Sequence, residues 1–323
     1  MPNKLFLTIG GIHKVGKKAY LTVGGVHRKI KKAYLTTSGV HRLCFSGDVD
    51  VAAMAISYSA SNGMTDAGIV TMGDGNQYRL LIVTKSGTLA VDEEVQAEIW
   101  MCGGGTSGQE GQGGGAGAFT NTGTVTLSGN MAAVIGAGGA KATSSSLGGR
   151  DFLSGGATSF CGLQTSTAFS LRSSKYHEGV CGGTGGGASG SYDEFGTGDG
   201  KTKYPFADTT YFSGKPHCGG GGGGSYSRSD DYDACGGDGG TNGGNGGSYY
   251  PDVTGTASGG SYGGGAGGCG SPLSAGSSAT YYGSGGGGGG RYYNVSQYSI
   301  SNANGGAGYQ GVIYIRIPVR QAS

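Results

Sequence analysis

Charge is scarce in this sequence: only 13% of residues are Asp, Glu, Lys or Arg, and the formal net charge is +2. Disordered chains stay open through low hydrophobicity and high net charge, and that combination is missing here. No apolar run approaches the roughly eighteen residues of a membrane helix, so no membrane insertion is expected. No run of seven or more apolar residues follows the first lysines either, so we expect no signal peptide and release by particle assembly or cell lysis. The seven cysteines, Cys44, Cys102, Cys161, Cys181, Cys218, Cys235 and Cys269, are odd in number and contain no CxxC pair. That gives little support to a disulfide framework or a zinc site, and buried thiols acting as small apolar side chains are the expectation.

Glycine fills the space these absences leave. With 77 glycines and 6 prolines, about a quarter of the chain sits at the composition where disorder is the default. Yet 35% of residues are hydrophobic and 20 are tyrosine, which a solvated linker does not need. Something ordered is being built without an ordinary side-chain core.

Residues 1–46 hold three copies of a fourteen-residue unit, KLFLTIGGIHKVGK, KAYLTVGGVHRKIK and KAYLTTSGVHRLCF, starting at Lys4, Lys18 and Lys32. Each reads as a β-hairpin with a two-residue turn at Gly10-Gly11, Gly24-Gly25 or Ser38-Gly39, because glycine supplies the positive φ of primed turns. With Val23 and Val26 flanking the turn, Ala19, Leu21, Val23, Val26 and Ile30 share one face. A lone hairpin is marginal in water, so that face calls for symmetry mates or another protein. Nine Lys and Arg precede Asp48 with no acid among them. Docking on an acidic partner ranks first for this basic face, a solvated edge guard second, and nucleic-acid binding last. His13, His27 and His41 recur at one repeat position; a stacked row of them is a metal-site candidate, though repeat inheritance explains them more simply.

Residues 47–77 carry weaker patterning, with Val49, Val51 and Ala53 alternating as a strand would. Strands are expected at 78–84, 87–91, 95–101, 123–127, 131–135 and 311–319. Between Cys102 and Gly311 glycine runs recur at 113–115, 182–187, 219–224, 236–247, 259–270, 285–290 and 305–308. Such runs order only if backbone bonds offset their entropy. Polyproline-II geometry offers a route: three residues per turn, no internal hydrogen bonds, and side-chain-free helices free to bond one another. Collagen is excluded because no Gly-X-Y period is kept.

The segments WMCGGGTSGQEGQGGGAGAF, VTLSGNMAAVIGAGG and NGGAGYQGVIYIRIP resemble the glycine-rich domain of phage and prophage tail proteins. The GVHRKIKKAYL repeats are similar to N-terminal modules attached to that domain. The resemblance implies an all-β fold with a polyproline-II-like glycine-helix bundle, as in tail-fibre adhesins, a small sheet at its base and displayed loops. It implies three regions: 1–46 for virion attachment and oligomerisation, 47–77 as a bridge, and 78–323 as a receptor-binding domain. It further implies a non-enzymatic tail adhesin in the virion, binding a host cell-surface saccharide or protein. The 1–46 repeats would engage other tail or baseplate proteins, and the chain would form a homo-oligomer, a trimer by analogy with fibres. The alternative is a structural baseplate or decoration protein with no receptor.

Polar, aromatic loops separate the glycine runs, and tyrosine gives large contact area at small entropic cost. If successive runs alternate in direction, loops 188–217, 248–258 and 291–304 share the distal end. Loops 225–235 and 271–282 then face the attachment. This selects Tyr204, Phe206, Tyr211, Tyr249, Tyr250, Tyr292, Tyr293 and Tyr298 as receptor-contact candidates, against the plainer role of capping the bundle. Catalytic chemistry is not apparent. Gly196–Thr202 looks like a phosphate loop, but Phe195 stands where its first glycine belongs. Asp193, Glu194, Asp199, Asp230, Asp231 and Asp233 could serve calcium, yet solvated loop charge is commoner. His177-Glu178 has no nucleophile beside it. No cofactor is expected.

Overall fold

The computed structural model describes residues 49–109, 113–142, 152–170, 202–227, 263–265 and 273–319, with the backbone alone of further strand residues. The chain divides into two compact units, Met1–Met54 and Ala55–Ser323.

The first unit contains the three hairpins. They are β1 (Leu5–Ile9) with β2 (Ile12–Gly16), β3 (Ala19–Val23) with β4 (Val26–Ile30), and β5 (Lys32–Thr37) with β6 (Val40–Ser46). Val23 pairs with Val26 and Ile9 with Ile12, so a two-residue turn closes the first two hairpins as the glycine pairs require. His13, His27 and His41 pair with Thr8, Thr22 and Thr36 at equivalent positions, while their side chains lie outside the described residues. The strand expected from Val49 to Ala53 is instead a turn, closed by the Ala53 amide donating to the Asp50 carbonyl at 3.0 Å.

The second unit is built on an eight-stranded sheet. Its strands are β7 (Ile56–Tyr58), β8 (Met64–Thr71), β9 (Gln77–Val83), β10 (Gly87–Cys102), β11 (Thr120–Val134), β12 (Ser159–Phe160), β13 (Leu163–Gln164) and β22 (Val312–Pro318). The order is β13-β12-β11-β10-β22-β9-β8, and β7 pairs with the start of β10. The pairings are antiparallel. Residues 87–91 and 95–101, expected as two strands, form one strand with a register shift between Val91 and Val95. Residues 123–127 and 131–135 merge likewise into β11, which runs beside β10 for its whole length. Residues 56–77, patterned too weakly to read as sheet, supply β7 and β8.

The central strands are buried on both faces, which accounts for the near-continuous apolar runs YRLLIV and VIYIRI. One face carries Leu81, Val83, Ile99, Met101, Ile313, Ile315 and Ile317, none more than 1% exposed. The other joins Leu80, Trp100, Cys102, Val312 and Tyr314 to Met72, Tyr78, Phe212 and Cys218. Each large apolar side chain so buried contributes about 1.5–3 kcal/mol.

Beyond the sheet the glycine segments form extended rods bonded to one another. The rod 284–290 displays the rule. Gly285 and Gly288 donate to Gly219 and Gly222; Gly286 and Gly289 to Thr106 and Gln109; Gly287 and Gly290 to Ser277 and Ser274, at 2.9–3.0 Å. Every third amide returns to the same neighbour, the signature of three residues per turn. Its carbonyls accept from Gly115, from Gly265, and from Ala303, Gly306 and Tyr309 of rod 303–309. This rod therefore has six neighbours, three taking its amides and three its carbonyls. Rod 103–109 follows the same count: positions 103, 106 and 109 donate to 119, 116 and 113, positions 104 and 107 to 156 and 153, and 105 and 108 to 309 and 306.

Close packing forbids side chains at these positions. A Cβ on Gly104, Gly221 or Gly306 would stand 1.9, 2.0 or 1.9 Å from a backbone oxygen of the adjoining rod. The glycine-helix bundle expected from the sequence is thus present among the described residues. Runs 182–187 and 236–247 lie outside them.

Candidate functional site

Rods 218–224 and 284–290 run parallel, since Gly285 and Gly288 meet Gly219 and Gly222 in the same order. They deliver two strands side by side at the end remote from the sheet: β18 (Tyr226–Arg228) pairs parallel with β20 (Arg291–Asn294). β18 also pairs with β19 (Asp233–Ala234), and β20 turns back into β21 (Ser299–Asn302). Two further two-residue pairs, β14 (Ser170–Leu171) with β15 (Val180–Cys181) and β16 (Ser189–Gly190) with β17 (Phe195–Gly196), form small sheets of their own.

The β20–β21 turn is fixed by Asn294. Its Oδ1 accepts from the Gln297 amide at 3.1 Å and from the Ser296 hydroxyl at 2.8 Å. The turn leaves Tyr298 at φ 51 with 83% of its surface exposed. A tyrosine in the left-handed region is strained, and such strain persists where surrounding structure over-determines it. Tyr292 and Tyr293 are half-buried on β20, and Ile300 is exposed on β21.

Tyr204, Phe206 and Tyr211 sit elsewhere. The expectation that 188–217 lies at the tip is corrected for its described part, residues 202–217, which fold onto the sheet. Lys203 and His217 form an antiparallel bridge. Tyr204 and Phe206 pack on the Trp100–Tyr314 face, and Tyr211 meets Phe212 edge-on. Tyr204 and Phe206 are partly buried against that face, while Tyr211 stays exposed beside it. Loop 225–235 is the second correction: its strand β18 lies beside β20 at the distal end, because two non-successive runs are parallel and simple alternation fails. Ser278 to Tyr282 reach the sheet end, as expected. Tyr249 and Tyr250 lie outside the described residues, as do the side chains of the acidic loop residues and His177-Glu178. Of the eight candidates, three gather at the tip and three on the sheet.

The sheet-side group borders a cleft of about 450 Å³ lined by Glu98, Thr122, Thr124, Lys203, Tyr204 and Phe206 among others. Arg316 forms its wall. Its guanidinium lies 4.5 Å from the centres of both the Tyr78 and Phe206 rings and donates from Nη2 and Nε to Glu98 Oε2 at 2.7 and 3.1 Å. Phe206 and Ala207 take φ 54 and 56, so the chain is strained to bring that ring over the arginine. Burial raises the Asp208 carboxyl, but the amides of Gly73, Tyr211 and Thr210 outweigh it and hold the group below the usual carboxylate range. The composition gave no signal for this clamp; only the order of Arg316 in an apolar strand hinted at it.

Beneath the cleft, His217 is fully buried among Trp100, Tyr281, Tyr282 and Tyr314. Its Nε2 lies 2.9 Å from the Tyr314 hydroxyl. Burial pulls the imidazole down to about 4 and pushes the Tyr314 phenol up, so the pair is neutral at pH 7. The pair packs as part of the aromatic core on this face of the sheet. Among the described residues no cluster of three His, Cys, Asp or Glu is placed to hold a metal.

An all-β sheet that hands its strands to a hydrogen-bonded glycine lattice defines a class of protein whose scaffold is backbone. The chain belongs to the glycine-rich domain family, which matches residues 84–318. That span begins just after β9 and closes with β22, taking in every rod described above. A comparison with curated proteins found no match.

Proposed function

We propose that the protein is a non-enzymatic phage tail adhesin that contacts the host cell surface through the distal β18–β21 tip. The observation that carries this reading is Tyr298, held in a strained backbone conformation yet 83% exposed on a sheet assembled from two parallel rods. Strain and apolar exposure are both costs to folding, and their coincidence at a rigid end is what a binding surface requires. Tyr292, Tyr293 and Tyr298 supply aromatic contact from one place, and the rods beneath leave little ordering cost at binding. The hairpin repeats of 1–46 would attach the protein to other tail components, with a homo-oligomer burying their apolar faces.

Adsorption competition tests the reading. Purified protein is expected to block attachment of the cognate phage to sensitive cells, and the Tyr298→Gly protein to block it at least tenfold less well at equal fold content. Absence of any block by the wild-type protein favours the structural baseplate alternative.

A further inference from the structure

Seven cysteines gave no readable pattern, but two of them meet at the junction between sheet and lattice. Cys102 ends β10, and Cys218 opens the rod 218–224, roughly 115 residues later. Neither is in a disulfide, and both are wholly buried. Their thiols are hydrogen-bonded to one another. Gly283 seals the pair from a third segment: a Cβ there would stand 2.7 Å from Cys218 Sγ and 3.0 Å from Cys102 Sγ. Two backbone details keep the sulfurs together. Cys218 takes φ 65, unusual for a residue with a side chain, and its amide donates to the Tyr282 carbonyl at 3.0 Å. On the opposite side the Ala118 amide donates to the Gly283 carbonyl at 2.7 Å.

We propose that Cys102 and Cys218 are a disulfide site, closed by a small disulfide oxidant such as oxidised glutathione while the chain folds. A thiolate of the pair attacks one glutathione sulfur, breaking its S–S bond and expelling a glutathione thiolate. The second cysteine attacks the protein sulfur of the mixed disulfide and expels the other. The protein loses two electrons and two protons, and one glutathione disulfide becomes two thiols. Exchange belongs to folding because both sulfurs are sealed once rod 218–224 has docked. The same seal shields the finished bond from reductant. The bond would tie the last residue of the central strand to a rod that is remote in sequence, removing a long loop from the unfolded ensemble.

The test uses the full chain made by cell-free synthesis in reduced or in oxidised glutathione. It is made as wild type and with Cys44, Cys161, Cys181, Cys235 and Cys269 all changed to Ser. In oxidised buffer we expect the loss of two hydrogens from the intact mass and a linked peptide pair carrying Cys102 and Cys218. The Tm is expected to rise by roughly 10 °C over the reduced protein. Cys218→Ser abolishes the gain. The proposal is overturned if, in the wild-type chain, both thiols remain open to alkylation after unfolding. It is equally overturned if the bridge joins other cysteines, or if the bond forms without raising Tm.

Discussion

Strand β10 and the rod 103–109 that continues it are neighbouring pieces of one chain held by opposite means. In β10, alternate side chains such as Trp100 and Ile99 fill the two sides of a sheet, and hydrogen bonds run only sideways, to β11 along one edge and to β7 and β22 along the other. After Cys102 glycine takes over, and only the buried Thr106, Ser107 and Gln109 of the rod keep side chains. The sideways partners persist: Gly103 and Thr106 still donate to the chain that becomes β11, and Gly105 and Gly108 to the chain that becomes β22. A third direction opens above and below, where Gly104 and Ser107 donate to 156 and 153. A sheet is a lattice with one hydrogen-bonding plane because side chains occupy the others. Removing them lets the same backbone bond all round.

The contrast predicts where each region breaks. The largest effect is expected from a methyl group inside the lattice. Gly306→Ala brings Cβ to 1.9 Å from the Ser277 carbonyl oxygen, with backbone on both sides and no side chain to move. The cost is expected to exceed about 4 kcal/mol, the range reserved for severe core damage, read as loss of a cooperative transition in denaturant. Trp100→Ala in the sheet is expected to cost about 3–5 kcal/mol, a cavity that the surrounding side chains can partly fill. If the alanine in the rod proves milder than the alanine in the sheet, the contrast is wrong.

Next in size is an acid effect confined to the sheet side. His217 titrates near 4 when folded and near its ordinary 6.5 when unfolded, so the unfolded chain binds the extra proton between those values. Stability is complete above about pH 6.5 and falls by about 3 kcal/mol as pH drops to 4, with no further loss from this group below that. His217→Gln should flatten that part of a Tm-against-pH profile. Arg316→Lys keeps the charge but loses the paired donors and the two ring contacts, for an expected 1–2 kcal/mol or so by chemical denaturation. The smallest effect is at the tip. Tyr298→Gly relieves the positive φ and should leave stability within about 1 kcal/mol of wild type while impairing adsorption competition.

Much of the sheet was legible because its strands are long and apolar, and so was each two-residue hairpin turn. The merging of 87–91 with 95–101 was not, since Asp92, Glu93 and Glu94 imitate a turn while forming a register shift. The rods were legible as a principle: glycine runs demand backbone partners. Which rod meets which was not, because identical glycines carry no pairing information. That ambiguity misplaced loop 225–235 and residues 202–217. Tyr298 was picked out by loop composition, whereas Arg316, Phe206 and the Cys102–Cys218 pair arise from packing between distant segments.

Amide hydrogen exchange across residues 285–290 tests the lattice most directly. These six glycine amides donate to three different rods, so they are expected to exchange as slowly as those of β10 and β22, with protection lost in one global step. Exchange at the rate of an open chain in 285–290, while β10 stays protected, would contradict a scaffold made of backbone.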